Sequence, residues 1–324
     1  MIMKKTVFFC IFLISASSSF SQTEKLIVPS DLKQQTIVTE PVTLRKGYFR
    51  VGFLIDYRVA DRYFDNSGTR EYYRASSWGS KSAYGLMLQY GISNRLQVDL
   101  VSEYMYRRQE TRNTEIIALT SAKVVTSVKR RGLGIGDSRV SISYQLIAEK
   151  ENKLSLTGNI QATIPTGEKN PSNIKNENEY DLPVGDGTFA LGLNVFARKI
   201  VFPYSFSGYV AYTNNFSGTK VFKTLADSEK KFKMGNLFET GLSGNLHLNE
   251  WIVFGNEINF YTEHKGEIEG FESELLPASW AISYEPGLVF QVHRFRLSET
   301  IRIPVKGKNV PADPLYVVMA QYIF

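Results

Sequence analysis

From Phe49 onward the chain alternates. Phe49, Val51, Phe53, Ile55, Tyr57 and Val59 share one parity, while Arg50, Gly52, Asp56 and Arg58 hold the other. Successive side chains of a strand point to opposite faces, so this stretch predicts a strand with one apolar and one polar side. The pattern recurs eleven more times. A second strand sets Tyr84, Leu86, Leu88 and Tyr90 against Gly85 and Gln89, and Ser93-Asn94 turns it into a third with Leu96, Val98, Leu100, Tyr104 and Tyr106 outside. A fourth opposes Val140, Ile142, Tyr144 and Leu146 to Arg139, Ser141, Ser143 and Gln145. A fifth opposes Leu154, Leu156, Ile160 and Ile164 to Ser155, Thr157, Asn159, Gln161 and Thr163. The rest fall near 188–198, 204–214, 236–248, 251–261, 280–291, 295–305 and 315–324.

The connections alternate in length. Links from strand 2 to 3, 4 to 5, 6 to 7, 8 to 9 and 10 to 11 take about two to seven residues. Those from 1 to 2, 3 to 4, 5 to 6, 7 to 8 and 9 to 10 take about fifteen or more. Short turns at one end, long loops at the other and an even count of twelve predict an all-β fold. It is a transmembrane antiparallel up-and-down β-barrel over residues 46–324, with periplasmic turns and external loops. A soluble β-sandwich is the competing reading, and sandwiches rarely alternate their loops this way. The last strand carries Tyr316, Val318, Ala320, Tyr322 and Phe324 on one side. It resembles the terminus of an outer-membrane barrel, with Tyr322 and Phe324 as the expected signal to the barrel assembly machinery.

Targeting and composition agree. Lys4 and Lys5, an apolar run from Val7 to Ile14 and the small-residue stretch up to Ser21 make a secretory signal peptide over residues 1–21. Cys10, the one cysteine, leaves with it, so the mature chain has no disulfide and no thiol chemistry. No other apolar run is long enough for a helical membrane span. The formal net charge is +6, two of those charges being Lys4 and Lys5, which gives no support to nucleic-acid binding. An aromatic content of 13% with a mean hydropathy of −0.19 suits strands that show lipid only half their residues. The expected location is the outer membrane of a Gram-negative cell, in contact with its lipid. Residues 22–45 are expected to form a periplasmic lead, partly tucked into the barrel mouth.

The polar face then lines the lumen. Its charged members are Arg50, Arg58, Arg107, Arg139, Arg198, Arg296 and Arg302 against Asp56, Asp99, Glu103, Glu239, Glu257 and Glu285. Such a near balance fits a lumen crossed by ion pairs and water, or a polar path that orients a zwitterionic or polar solute. The external loop 108–131 has an apolar middle in Ile116, Ile117, Leu119, Val124, Val125 and Val128. It either folds inward as a constriction or prolongs strands 3 and 4 as a hairpin. On strands 9 to 11, Asn256, Pro286 and Glu299 take the lipid-facing parity. There a carboxylate is costly, and a proline removes a ladder hydrogen bond. A bulge that turns them inward, a contact between protomers of a homo-oligomer, or a lateral opening would each account for them.

Catalysis finds no foothold. His247, His264 and His293 lack partners at metal-ligand spacing, and no Ser/His/Asp set shares a rim. No cofactor or metal is expected. The glycines of Gly132-Leu133-Gly134-Ile135-Gly136 lead into a strand, where a nucleotide-binding loop needs a helix. Gly134-Ile135-Gly136-Asp137, Arg139, Tyr144 and then Pro165-Thr166-Gly167-Glu168 resemble the outer-membrane barrel transporters grouped with the meta-pathway of phenol degradation proteins. The resemblance is firmest over residues 84–200. It implies a barrel transporter in the outer membrane, and no particular substrate. The expected function is passive passage of a small solute through a polar lumen. A closed barrel whose external loops bind a ligand or partner is the alternative.

Overall fold

The structure, a computed structural model, describes residues 43–73, 77–117, 122–148, 153–169, 174–176, 179–221 and 228–324. The signal peptide and most of the expected lead lie outside these residues. Twelve strands form the wall: β1 Phe49–Ala60, β2 Trp78–Ser93, β3 Leu96–Ile117, β4 in two segments (Ala122–Ile135 and Ser138–Ile147), β5 Leu154–Ile164 and β6 Ala190–Val201. They continue with β7 Tyr204–Asn215, β8 Leu237–His247, β9 Ile252–Glu263, β10 Ser279–Val292, β11 Phe295–Lys308 and β12 Leu315–Ile323. Each pairs antiparallel with its neighbours in sequence. β12 pairs with β1 from Arg50 opposite Ile323 to Tyr57 opposite Tyr316, so the twelve-strand wall closes on itself.

Alternation explains which side each residue takes. Along β1, Phe53, Ile55 and Tyr57 stand exposed on the outside, while Arg50 and Asp56 are buried within. Large apolar side chains are exposed around the whole wall, with Leu193, Phe206, Leu242 and Ile258 each more than half accessible. Apolar exposure on this scale is the surface of a protein solvated by hydrocarbon. Aromatics gather toward both rims: Tyr204, Phe295 and Tyr322 near the short turns, Tyr57, Tyr212 and Tyr316 toward the long loops. Phe324 ends the chain at the turn rim, with its N–H on the Phe49 carbonyl at 2.8 Å and its ring edge-on to Tyr322.

The loop after β3 resolves one of the open readings. Leu96 to Val101 pair with the lower segment of β4, and Tyr104 to Ile117 continue straight on to pair with Ile135 to Ala122. The backbone of Ile116, Ile117, Val124, Val125 and Val128 thus belongs to a hairpin prolonging the wall, and the constriction reading gives way to it. Leu119, at the tip, lies outside the described residues. The two segments of β4 are separated by a break at Gly136-Asp137.

Asn256, Pro286 and Glu299 are not turned inward by a bulge, the first of the three accounts offered for them. A register shift does occur in this region, at Ile282/Ser283 opposite β11, but it lies above Pro286 and leaves the parity below unchanged. Asn256 opposes Pro286, both half-buried on the outer side, and Glu299 is exposed there opposite Leu288. The Tyr284 hydroxyl donates to Asn256 Oδ1, giving the amide one partner on that face. One external link is shorter than the alternation implied, the six-residue stretch 309–314. It carries Val310–Pro311, which joins Arg62–Phe64 and Arg70–Tyr72 in a small sheet over the loop rim. Phe64, Ala281, Val310 and Ala312 form its buried apolar core.

Candidate functional site

The lumen is built from the polar side chains that the alternation turns inward. A cavity of about 470 Å³ lies within it, lined by Gln89, Asp99, Ser141, Asn159, Asn194 and Asn259 together with Arg58, Arg139, Glu239, Glu257 and Arg302. A second cavity of about 360 Å³ opens toward the long loops among Asp56, Lys81, Arg107, Glu110 and Trp78. Arg58 and Pro311 line both, so they mark the neck between them.

All thirteen charged residues expected in the lumen take the inward parity, and the structure brings most of them into two networks and several local pairs. Near the turn end, Arg50 Nη1 donates to Gln89 Oε1 at 2.9 Å, and Gln89 Nε2 donates to Asp99 Oδ1 at 2.8 Å. Gln97 Nε2 and Ser141 Oγ also donate to the Asp99 carboxylate. Higher up, Glu285 accepts from Arg302 Nε at 2.7 Å, Thr300 Oγ1 at 2.9 Å and Asn259 Nδ2 at 3.2 Å. A buried carboxylate needs such a full set of donors. Arg139 pairs with Glu103 at 2.8 Å, and Lys81 with Asp56 at 3.1 Å. Arg107 instead donates to the Pro183 carbonyl at 2.9 Å. Glu257 stands directly opposite Glu285, so two carboxylates share one stretch of wall.

The registers place several of these groups in one row. Arg107, Lys81 and Arg58 are cross-strand neighbours on β3, β2 and β1. On the far side Glu257, Ser243, Ser207, Arg198 and Ser155 follow one another across β9 to β5. Strands tilt in a barrel, so such a row winds from one end of the lumen toward the other. Lys81 is a lumen residue the sequence reading missed. It keeps the parity of Gly85, and running the β2 alternation four residues further would have found it.

The turn end is filled. Arg50, Arg198 and Arg296 are each at most 5% exposed. Thr43 and Leu44 enter beside them: Leu44 is fully buried against Ile323, and its N–H donates to Gln97 Oε1 at 2.7 Å. The end of the expected lead therefore sits inside the mouth.

The glycine motifs form a knot at the loop rim. Asp137 accepts from the backbone N–H of Gly167 at 3.0 Å and of Asp186 at 2.7 Å. Thr166 Oγ1 donates to the Gly136 carbonyl at 2.8 Å and accepts from the Ser138 N–H at 3.0 Å. A Cβ on Gly167 would lie 2.6 Å from the Gly185 Cα, so the two backbones touch only because neither residue has a side chain. Asp137 thereby fixes the strand break and ties the β5–β6 loop to it.

No protein-family profile matches the chain, and no curated protein matches it. Among solved structures, an outer-membrane channel from Pseudomonas putida F1 is similar, with a TM-score of 0.69 at 12% identity, covering 90% of this chain and 100% of that one. The translocator domain of autotransporter NalP from Neisseria meningitidis gives 0.47 at 7% identity, over 87% of this chain and 90% of that one. The Ralstonia pickettii toluene transporter TbuX gives 0.38 at 9% identity, over 87% and 90%. The first shows that this chain has the fold of an outer-membrane β-barrel, closed by twelve antiparallel strands.

Proposed function

We propose that the chain is an outer-membrane channel through which a small solute passes by diffusion. The observation that carries this is a polar lumen cavity that shares Arg58 and Pro311 in its lining with a second cavity opening toward the long loops. The apolar outer face and the rim aromatics support a membrane location, with the short turns toward the periplasm. Solute selection would follow from the charges along the path: arginines and a lysine at the neck, then the carboxylates of Glu239 and Glu257.

The packed turn end favours a second reading, a barrel that holds a ligand without conducting. Swelling of liposomes loaded with the refolded protein separates the two. Uptake of a small neutral sugar at a rate that grows with protein content supports the channel. Absence of swelling, with the barrel shown folded by its heat-modifiable gel mobility, supports the closed barrel.

A further inference from the structure

The neck is basic, and two of its cations, Arg58 and Arg107, have no close carboxylate partner among the described residues. Arg58, Lys81 and Arg107 stand in one cross-strand row on three adjacent strands. Arg302 stands beyond β12, opposite Leu315. Lys81 is matched by Asp56 and Arg302 by Glu285. Glu110, which also borders the outer cavity, is held by Arg112 at 2.6 Å. Among the described residues, Arg107 is held by a peptide carbonyl alone. Arg58 makes no hydrogen bond or close ion pair with the described residues, and its Nε is buried without a partner. The charges acting on it from a distance are Arg302, Asp56 and Asp313, together with Tyr261. A buried guanidinium N–H left unsatisfied is costly, and it is relieved by whatever acceptor reaches it.

We propose that Arg58, supported by Arg107, is a binding station for a carboxylate-bearing solute at the neck between the outer cavity and the lumen. A guanidinium offers two parallel N–H donors that match a carboxylate, and narrow low-dielectric walls strengthen its field. The carboxylates of Glu239 and Glu257 line the cavity below. An anion is therefore attracted as far as Arg58 and held there, with the less charged part of the solute reaching into the lumen. This station refines the channel reading, and its test does not depend on conduction.

Trp78 lines the outer cavity beside these residues, with the Arg108 guanidinium 5.0 Å above its ring. It serves as the reporter in a chain carrying Trp251→Phe and Trp280→Phe. Iodide quenching is measured in detergent at constant ionic strength, with acrylamide as the neutral control and acetate as the competing carboxylate. The expected result is efficient iodide quenching that acetate relieves. Arg58→Gln should weaken acetate's competition at least about tenfold, the least that losing a charge-assisted hydrogen bond implies. Acrylamide quenching should stay unchanged. Arg58→Lys, which keeps the charge but loses the fork, should retain iodide quenching and lose most of the competition by acetate. Acetate competition that is absent, or equal in all three chains, would overturn the proposal. Competition without liposome swelling leaves the station standing and removes the channel. Swelling without competition does the reverse.

Discussion

The outer and inner faces of the same strands obey opposite rules. On β8, Leu242 points outward and is 72% exposed, while its neighbour Ser243 is buried in the lumen and shares a hydrogen bond with Ser207 at 2.8 Å. One residue along the chain exchanges hydrocarbon for a polar interior. The comparison teaches that burial in this fold carries the reverse of its usual meaning: the large apolar groups are on the surface, and the polar and charged groups are inside, several of them hydrogen-bonded to one another. Asn256 and Glu299 on the outer face break that rule, which makes β9 to β11 the region where the two faces differ least.

Substitutions can break this comparison by degrees. Leu242→Arg should cost about 2–4 kcal/mol in urea-titrated refolding into vesicles, the penalty for a basic residue at mid-depth. Ser243→Asn, one position along, should cost only about 1 kcal/mol, the hydrogen bond with Ser207 being lost in an interior that remains polar. Equal effects at the two positions would mean that Leu242 does not face lipid. Next comes Asp137→Ala, which strips the acceptor from two rim N–H groups. A loss of about 1–3 kcal/mol is expected, with faster proteolysis of the β5–β6 loop; unaltered cleavage would show that the knot does not hold it. Glu299→Leu works in the opposite direction. Replacing an exposed carboxylate on the lipid face should raise stability by up to about 2 kcal/mol. A fall instead would mean that Glu299 has a partner on that surface, as a contact between protomers would supply.

The smallest effect concerns the loop rim. Burial pushes the Asp313 carboxyl upward, but the Arg62 guanidinium and the N–H groups of Asp61 and Arg62 outweigh it and hold it below the usual carboxylate range. A depressed carboxylate contributes stability that is present above its unfolded value near about 4 and is lost as pH falls through the folded value. Amide exchange at Asp61 and Arg62 should therefore stay slow at neutral pH and speed up only in stronger acid. Asp313→Asn should make it fast throughout. Slow exchange at all pH values in that variant would show that the carboxylate does not hold the rim.

Much of this architecture was legible because a period of two survives in every wall strand. The strand expected from Phe49 is the one that forms, and the closing strand ends within one residue of its expected limit. The inward charges followed from the same parity. What the pattern could not settle depends on distant partners. An apolar middle at Ile116, Ile117, Val124 and Val125 serves a plug and a hairpin equally, and only pairing decides. Asp137 reads as a turn residue until Asp186, 49 positions away, is brought beside it. Asn256 and Glu299 looked like candidates for a bulge, and the register shift that exists lies one turn of the pattern too high to move them.

Single-channel conductance tests the central claim most directly. The refolded chain without its signal segment would be recorded in a planar bilayer, alongside a variant lacking residues 113–128. The account predicts conductance steps in both, of unchanged size, because the backbone of the hairpin prolongs the wall. Silence in both, from protein shown to be folded, would contradict a conducting lumen, and steps that appear or grow only after the deletion would put the hairpin back in the path.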